Sequence, residues 1–300
     1  MISVMIEKRF CGPPKSANGG YVCGLLAAHI DGDAEVTLLA PPPLGQRLDL
    51  VAGEHGVELR EKARILATGR GVRLDVPEPP IVSFSEAQDA VDRSPYDQGR
   101  HPLPMCFVCG PARAHGDGLR IMPSPLPFPL PSPLPSRTDC KTGALAAPWV
   151  PYSDLAGEDG AVAGEFIWAA LDCPTGFAGA GARHLGMTGA ETILLGRMGA
   201  RIERRPYPGD RCIIVAWPTG RDSRKLFANS ALLSSDTLHP FSDAAGPADR
   251  PRCHTNFARH PLRGTHTRSR PRPDPVPPGT GCGQLRPEPS THHARAADKH

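Results

Sequence analysis

Two stretches of the chain are apolar on nearly every helical face, and each is followed by short runs of strand-forming residues. In residues 16–30, Ser16 and Asn18 lead into Tyr21, Val22, Leu25, Leu26, Ala27, Ala28 and Ile30, and Asp31-Gly32 closes the run. The pattern predicts a capped helix with a C-terminal stop signal. A helix that is apolar all round must be surrounded by other structure. Residues 36–39 and 48–52 predict strands separated by a proline-rich bend at 41–47, and a His55-Gly56 turn leads into a strand at 57–66. The second stretch, 165–173, is again almost wholly apolar, and Pro174 is expected to close it. A strand at 198–203, a bend at 205–211, a strand at 212–217, a Thr219-Gly220 turn and a strand at 225–233 follow.

The two series are one motif written twice. Gly45-Gln-Arg47 matches Gly209-Asp-Arg211 at an offset of 164, each after prolines and before an apolar strand. Residues 19–27 match 164–172 at an offset of 145, and the extra 19 residues fall in the glycine-rich connection 176–196. A buried helix before antiparallel strands, repeated, has a simple physical solution. Each half wraps a curved sheet round its helix, and the sheets join edge to edge, which protects strand edges. The expected fold class is therefore α+β, with a first half at 1–100 and a second at 101–235.

Two segments break the pattern. Residues 123–135 carry proline at every second position, which predicts an extended polyproline II insertion that is neither helix nor paired strand. The tail, 236–300, has no apolar period and reads as disordered or aberrant. From residue 234 on, the chain holds 10 of the 34 Lys and Arg but only 6 of the 31 Asp and Glu, so the remainder is close to neutral and the net charge of +3 comes from the tail. That balance argues against a nucleic-acid partner. No apolar run is long enough for a membrane span or a signal peptide, so no membrane association and a cytoplasmic location are expected. Nine irregularly spaced cysteines predict reduced thiols rather than a disulfide framework. Cys106-x-x-Cys109-Gly is half a zinc ribbon, with His101 and His115 near, but no second pair completes it, so no metal and no cofactor are expected. No phosphate-binding loop, dinucleotide fingerprint or Gly-x-Ser-x-Gly elbow occurs.

Asn18-Gly19-Gly20-Tyr21 entering an apolar helix is similar to the start of the central helix in the hotdog-fold thioesterase superfamily. Residues 105–110, with Gly118-Leu-Arg-Ile121 after them, resemble the Cys-Phe-x-Cys-Gly opening and first strand of thioesterases of the phenylacetate-pathway type. Residues 165–173 resemble their central helix, with its acidic residue near Asp172. The resemblance is to a double-hotdog protein. It implies a thioesterase acting on an acyl-CoA or acyl-carrier substrate, and a last strand after Leu233, where the tail stands. Homodimers are common among such proteins and one is expected here.

Thioester hydrolysis needs a polarised carbonyl, a carboxylate and a slot for the acyl group. Amides at a helix start supply fixed donors, and Gly19 and Gly20 allow close approach. Asp172, in an apolar run with Trp168, is the candidate catalytic carboxylate, its pKa raised by desolvation. A structural alternative stays open, in which Asp172 bonds local backbone or turns outward before Pro174. Asn18, Gly19, Gly20, Tyr21 and Trp168 are the candidate substrate-binding residues. The first half has Ala27 where the second has Asp172, and the second has Gly164-Glu165 where the first has Gly19-Gly20. One composite site, with the Gly20 amide from one half and Asp172 from the other, is therefore expected. The alternative function is a non-catalytic module of the same fold that binds an acyl or aromatic ligand.

Overall fold

A computed structural model describes residues 1–54, 56–93, 101–127, 143–180, 191–223, 225–237, 240–245 and 256–261. The first half holds β1 (Ile2–Met5), α1 (Gly19–Ala27), β2 (Ala34–Leu38), β3 (Arg47–Gly53), β4 (Gly56–Glu61) and β5 (Arg64–Gly71). A connecting stretch carries α2 (Phe84–Asp92) and β6 (Ser124–Pro125). The second half holds β7 (Leu145–Trp149), α3 (Gly164–Ala180), β8 (Glu191–Ile202), β9 (Cys212–Asp222), β10 (Lys225–Ser234) and β11 (Pro240–Ala245), with β12 (Asn256–Pro261) after it. No helix among the described residues is long and apolar enough to cross a membrane.

The first half pairs its strands in the order β1-β3-β4-β5-β2 and the second in the order β7-β9-β10-β11-β8. These are the same order, and β2 joins β8 antiparallel, with Val36 opposite Met198. Each half sets one helix against its strands: α1 and α3 lie on one face of the joined sheet and pack against each other. Hence both helices are apolar all round.

The repeat holds hydrogen bond by hydrogen bond. The Asn18 amide donates to the Phe10 carbonyl (2.8 Å), and the Ala163 amide to that of Leu155 (2.9 Å). Ala17 donates to Pro42 (2.9 Å) and Val162 to Pro206 (2.8 Å). Gly45 donates to Ile6 (2.8 Å) and Gly209 to Pro151 (2.9 Å). Gly45 and Gly209 both have positive φ, 66° and 91°, so the matching glycines serve the same left-handed turn.

Several expectations need correction. Part of the expected tail is paired: β11 fills the slot between β10 and β8 as the fifth strand of the second half. β12 continues down the same slot against residues 191–197 of β8. The unpaired edges of β8 and β10 supply backbone partners whatever the side-chain pattern, and Phe241 anchors the segment in the core. The expected disorder at 246–255 and 262–300 lies outside the described residues. Pro174 does not end its helix. α3 continues to Ala180, and the hydroxyls of Thr175 and Ser230 both reach the Leu171 carbonyl beside the break in the ladder. Residues 118–121 form no strand, and Arg120 has φ 53°. The proline-rich insertion does pair at its start, because an edge strand tolerates proline: Ser124 and Pro125 lie opposite Ala146 and Leu145. Residues 128–142 lie outside the described residues.

The halves also interleave. α2, opened by a capping box between Ser83 and Glu86, packs on β7 and β9 of the second half. There Val82 and Ala87 cover Ile213, Val215 and Trp217, on the sheet face opposite α3. Residues 106–109 pack instead on the first half, where the Phe107 amide donates to the Cys11 carbonyl (2.7 Å) and the Phe107 ring meets Phe10 edge-on.

Ion pairs tie the halves: Arg9 meets the Asp154 carboxylate at 2.5 Å, and a second pair joins Asp33 to β8. Arg201 of β8 donates to both carboxylate oxygens of Asp33 at 3.1 and 2.8 Å, and the Leu74 amide adds a third bond at 2.9 Å. The Arg201 bond, then the others, hold the Asp33 carboxyl below its usual value despite burial. Asp33→Asn should cost about 1–2 kcal/mol at neutral pH. That difference should persist down to about pH 4, the unfolded pKa, and vanish as pH falls through the lower folded value. Urea unfolding of both proteins at pH 7 and pH 3 measures it. An equal gap at both values would remove the ion pair as its cause.

Candidate functional site

The N-terminus of α1 meets α3 where the two helices cross. Asn18 caps α1: its side-chain oxygen accepts from the Tyr21 amide at 2.9 Å. Its Nδ2 turns the other way and donates to Asp172 Oδ2 at 3.3 Å. The Gly20 amide donates to the same oxygen at 2.8 Å. A Cβ at Gly20 would lie 2.5 Å from Asp172 Cβ and 2.6 Å from the Trp168 carbonyl oxygen. Only glycine lets the helices come close enough for this bond.

Asp172 is 5% exposed, and among the described residues no Lys or Arg forms an ion pair with it. Burial is the main reason its pKa rises to about 7, with the charge of Cys106 adding to it, while the Gly20 and Asn18 hydrogen bonds oppose the rise.

Asp172, Asn18 and Gly19 border a cavity of about 100 Å³ whose apolar wall includes Leu103, Phe177 and Leu195. Of the first-turn amides, Gly20 serves Asp172, Tyr21 serves the Asn18 side chain and Val22 serves the Asn18 carbonyl. Among the described residues, the Gly19 amide has no such partner. Asn18→Ala should cost about 1–2 kcal/mol through lost capping, read as a lower midpoint in thermal unfolding; an unchanged midpoint would mean the cap contributes nothing.

Sequence reasoning placed Asn18, Gly19, Gly20 and Asp172 together, and the structure brings them together. It does not bring Tyr21 and Trp168 to the cavity. Tyr21 stacks on Phe10, with centroids 4.3 Å apart, beside Phe166, and burial raises its hydroxyl pKa. Trp168 is 2% exposed and fills the helix crossing. Both lie near the glycines and the acid in sequence, but helical rotation turns them into the core. Gly20 itself is covered by α3 rather than open to a ligand.

Sequence reasoning also missed part of the wall. Cys106, Cys109 and Cys173 line the cavity, with the Cys106 and Cys173 sulfurs 3.7 Å apart. Hydrogen bonds from the Cys109 and Cys173 thiols hold Cys106 well below the usual thiol range and push those two above it. His101 lies at the same cavity, its Nδ1 accepting from the Leu103 amide at 3.1 Å, and burial lowers its pKa. The sequence contained the Cys-x-x-Cys signal, but nothing in it joined Cys173 to that pair.

No protein-family model matches the chain, and no curated protein matches it by sequence. Solved structures do. A crystal structure of an acyl-CoA thioesterase II from Mycobacterium marinum superposes with a TM-score of 0.50 at 8% identity, covering 88% of this chain and 94% of that one. A tesB protein from Mycobacterium avium subspecies paratuberculosis gives 0.46 at 11% identity, covering 82% and 88%. A conserved protein with a hot dog fold from Alicyclobacillus acidocaldarius gives 0.47 at 10% identity, covering 88% and 93%. At these identities the likeness concerns the fold and leaves the activity to the site itself.

Proposed function

We propose that this protein hydrolyses an acyl thioester, carried on CoA or on an acyl carrier, in the cavity beside the α1–α3 crossing. One observation carries the reading. A buried carboxylate from the second half meets a helix-start amide from the first at the wall of a shared, largely apolar cavity. A carboxylate without a cationic partner is costly to bury, and such groups cluster where chemistry needs them.

In this mechanism Asp172 takes a proton from water as the oxygen adds to the thioester carbonyl. The negative charge that develops on the carbonyl oxygen is received at the N-terminus of α1, where Gly19 has its amide and the helix dipole is positive. The tetrahedral centre then collapses, the C–S bond breaks, and the thiolate leaves with the proton that Asp172 held. Asn18 and the Gly20 amide orient the carboxylate throughout. The acyl group packs against the side of the cavity formed by Leu103, Phe177 and Leu195.

One observation favours a second reading, a non-catalytic module that binds an acyl or aromatic ligand. The Gly20 amide is already satisfied by Asp172 and so is not free for a substrate carbonyl. A panel of acyl-CoAs of increasing length, given to the full chain and to Asp172→Asn, separates the two. Turnover by the parent protein that the variant lacks supports hydrolysis. Saturable binding without turnover by either supports the second reading.

A further inference from the structure

The proline-free turn at 106–110 and the helix α3 come from distant parts of the chain, yet they place three thiols together. The ligand atoms of Cys106, Cys109 and Cys173 all lie within 4.8 Å of one another. We propose that these three cysteines bind a zinc-class metal ion, with the fourth coordination position turned to the cavity. This inference is independent of the hydrolytic reading, and either can fail alone.

Three geometric facts support it. In a tetrahedral site with metal–sulfur bonds of about 2.3 Å, ligand sulfurs sit about 3.8 Å apart. Cys106 and Cys173 are already at 3.7 Å, so little rearrangement is needed. The turn has the form of a ligand-bearing knuckle. The Gly110 amide closes it onto the Cys106 carbonyl at 2.9 Å, and a Cβ at Gly110 would lie 2.4 Å from that oxygen, so residue 110 must be glycine. This tight closure turns both sulfurs of the Cys-x-x-Cys pair to one side. Finally, a donor for thiolate charge is in place. Asn18 Nδ2 lies 3.8 Å from the Cys173 sulfur and can donate to it. Donors of this kind orient metal ligands and offset their charge.

Three protein ligands with an open fourth position are the arrangement of zinc sites that bind water or a ligand, whereas structural sites are closed by four. All three cysteines line the cavity, and the fourth position is assigned to that side. The lack of a second cysteine pair, which argued against zinc in the sequence, is answered by a single residue of a helix. Soft thiolate ligands favour zinc over magnesium or calcium.

The test uses the full chain, purified with reductant and without chelator. Elemental analysis should find one zinc per chain. After chelation and dialysis, added cobalt(II) should give a thiolate-to-metal charge-transfer band and the intense visible bands of a tetrahedral site. Cys109→Ser and Cys173→Ser should each weaken zinc binding on the order of 100-fold or more, by competition with a chromophoric chelator. The cobalt spectrum of the unmodified protein keeps the test decisive if a variant misfolds. Absence of a charge-transfer band would overturn the proposal. So would zinc binding that survives both substitutions, which would place the ion on Cys253, Cys282 or the His292-His293 pair instead.

Discussion

Asp172→Asn should lower thioester hydrolysis by about 10²–10⁴-fold, the range for removing a positioned acid–base group. The fold should survive. The asparagine oxygen still accepts from the Gly20 amide, and the volume is unchanged. A buried carboxylate with no cationic partner among the described residues is also lost, which relieves a desolvation cost. The variant should therefore unfold at the same temperature as the parent or higher. Loss of activity with retained or raised stability is the signature of a group kept for function. A fall in stability with hydrolysis unchanged would make Asp172 a structural acceptor for the start of α1 and would end the catalytic assignment.

The largest effect on stability is expected at Gly24. It follows Gly20 by one helical turn on the face of α1 that meets α3. A Cβ there would lie 2.3 Å from Glu165 Cα, 2.9 Å from Glu165 Cβ and 3.1 Å from Trp168 Cβ. The first of these is backbone and cannot rotate away. α1 cannot retreat either, because its other side rests on β2, β4 and β5. Alanine gains about 1 kcal/mol over glycine in a helix interior. The overpacking should exceed that gain and leave a net loss of about 2–4 kcal/mol. The melting temperature should then fall by roughly 5–15 °C. Gly164→Ala is the control: its Cβ would find Ile202 Cδ1 at 3.9 Å, an ordinary contact, so stability should hold or rise slightly. Equal losses at both positions would remove the close crossing as the explanation.

The crossing also shows why part of the site was legible. Gly20 and Asp172 pair in the sequence because the two halves diverge in a complementary way, one keeping the glycines and the other the acid, and because the resemblance to hotdog thioesterases implies that amide and acid come from opposite halves. An apolar helix, a proline bend ending in glycine and two strands recur in one order, and the matched hydrogen bonds at Gly45 and Gly209 follow from that order. The spacing of Gly20 and Gly24 is equally visible in the sequence, but spacing alone does not mark a contact stripe. Its meaning depends on what stands opposite, and the sequence does not state this.

Local patterns determined what was local: the two buried helices, the Asn18 cap of α1, the bends and most strands. They also determined the α+β class, since apolar helices and alternating strands can bury their surfaces only against one another. Tertiary structure decided what depends on partners distant in the chain. It filled the slot between β8 and β10 with β11 and β12, because unpaired backbone groups select by hydrogen bonding and not by composition. It turned Tyr21 and Trp168 into the core through helical rotation, which adjacency in sequence conceals. It also carried Cys173 to Cys106 and Cys109 across more than sixty intervening residues, since a cluster of thiols is a property of packed helices and turns rather than of spacing along the chain.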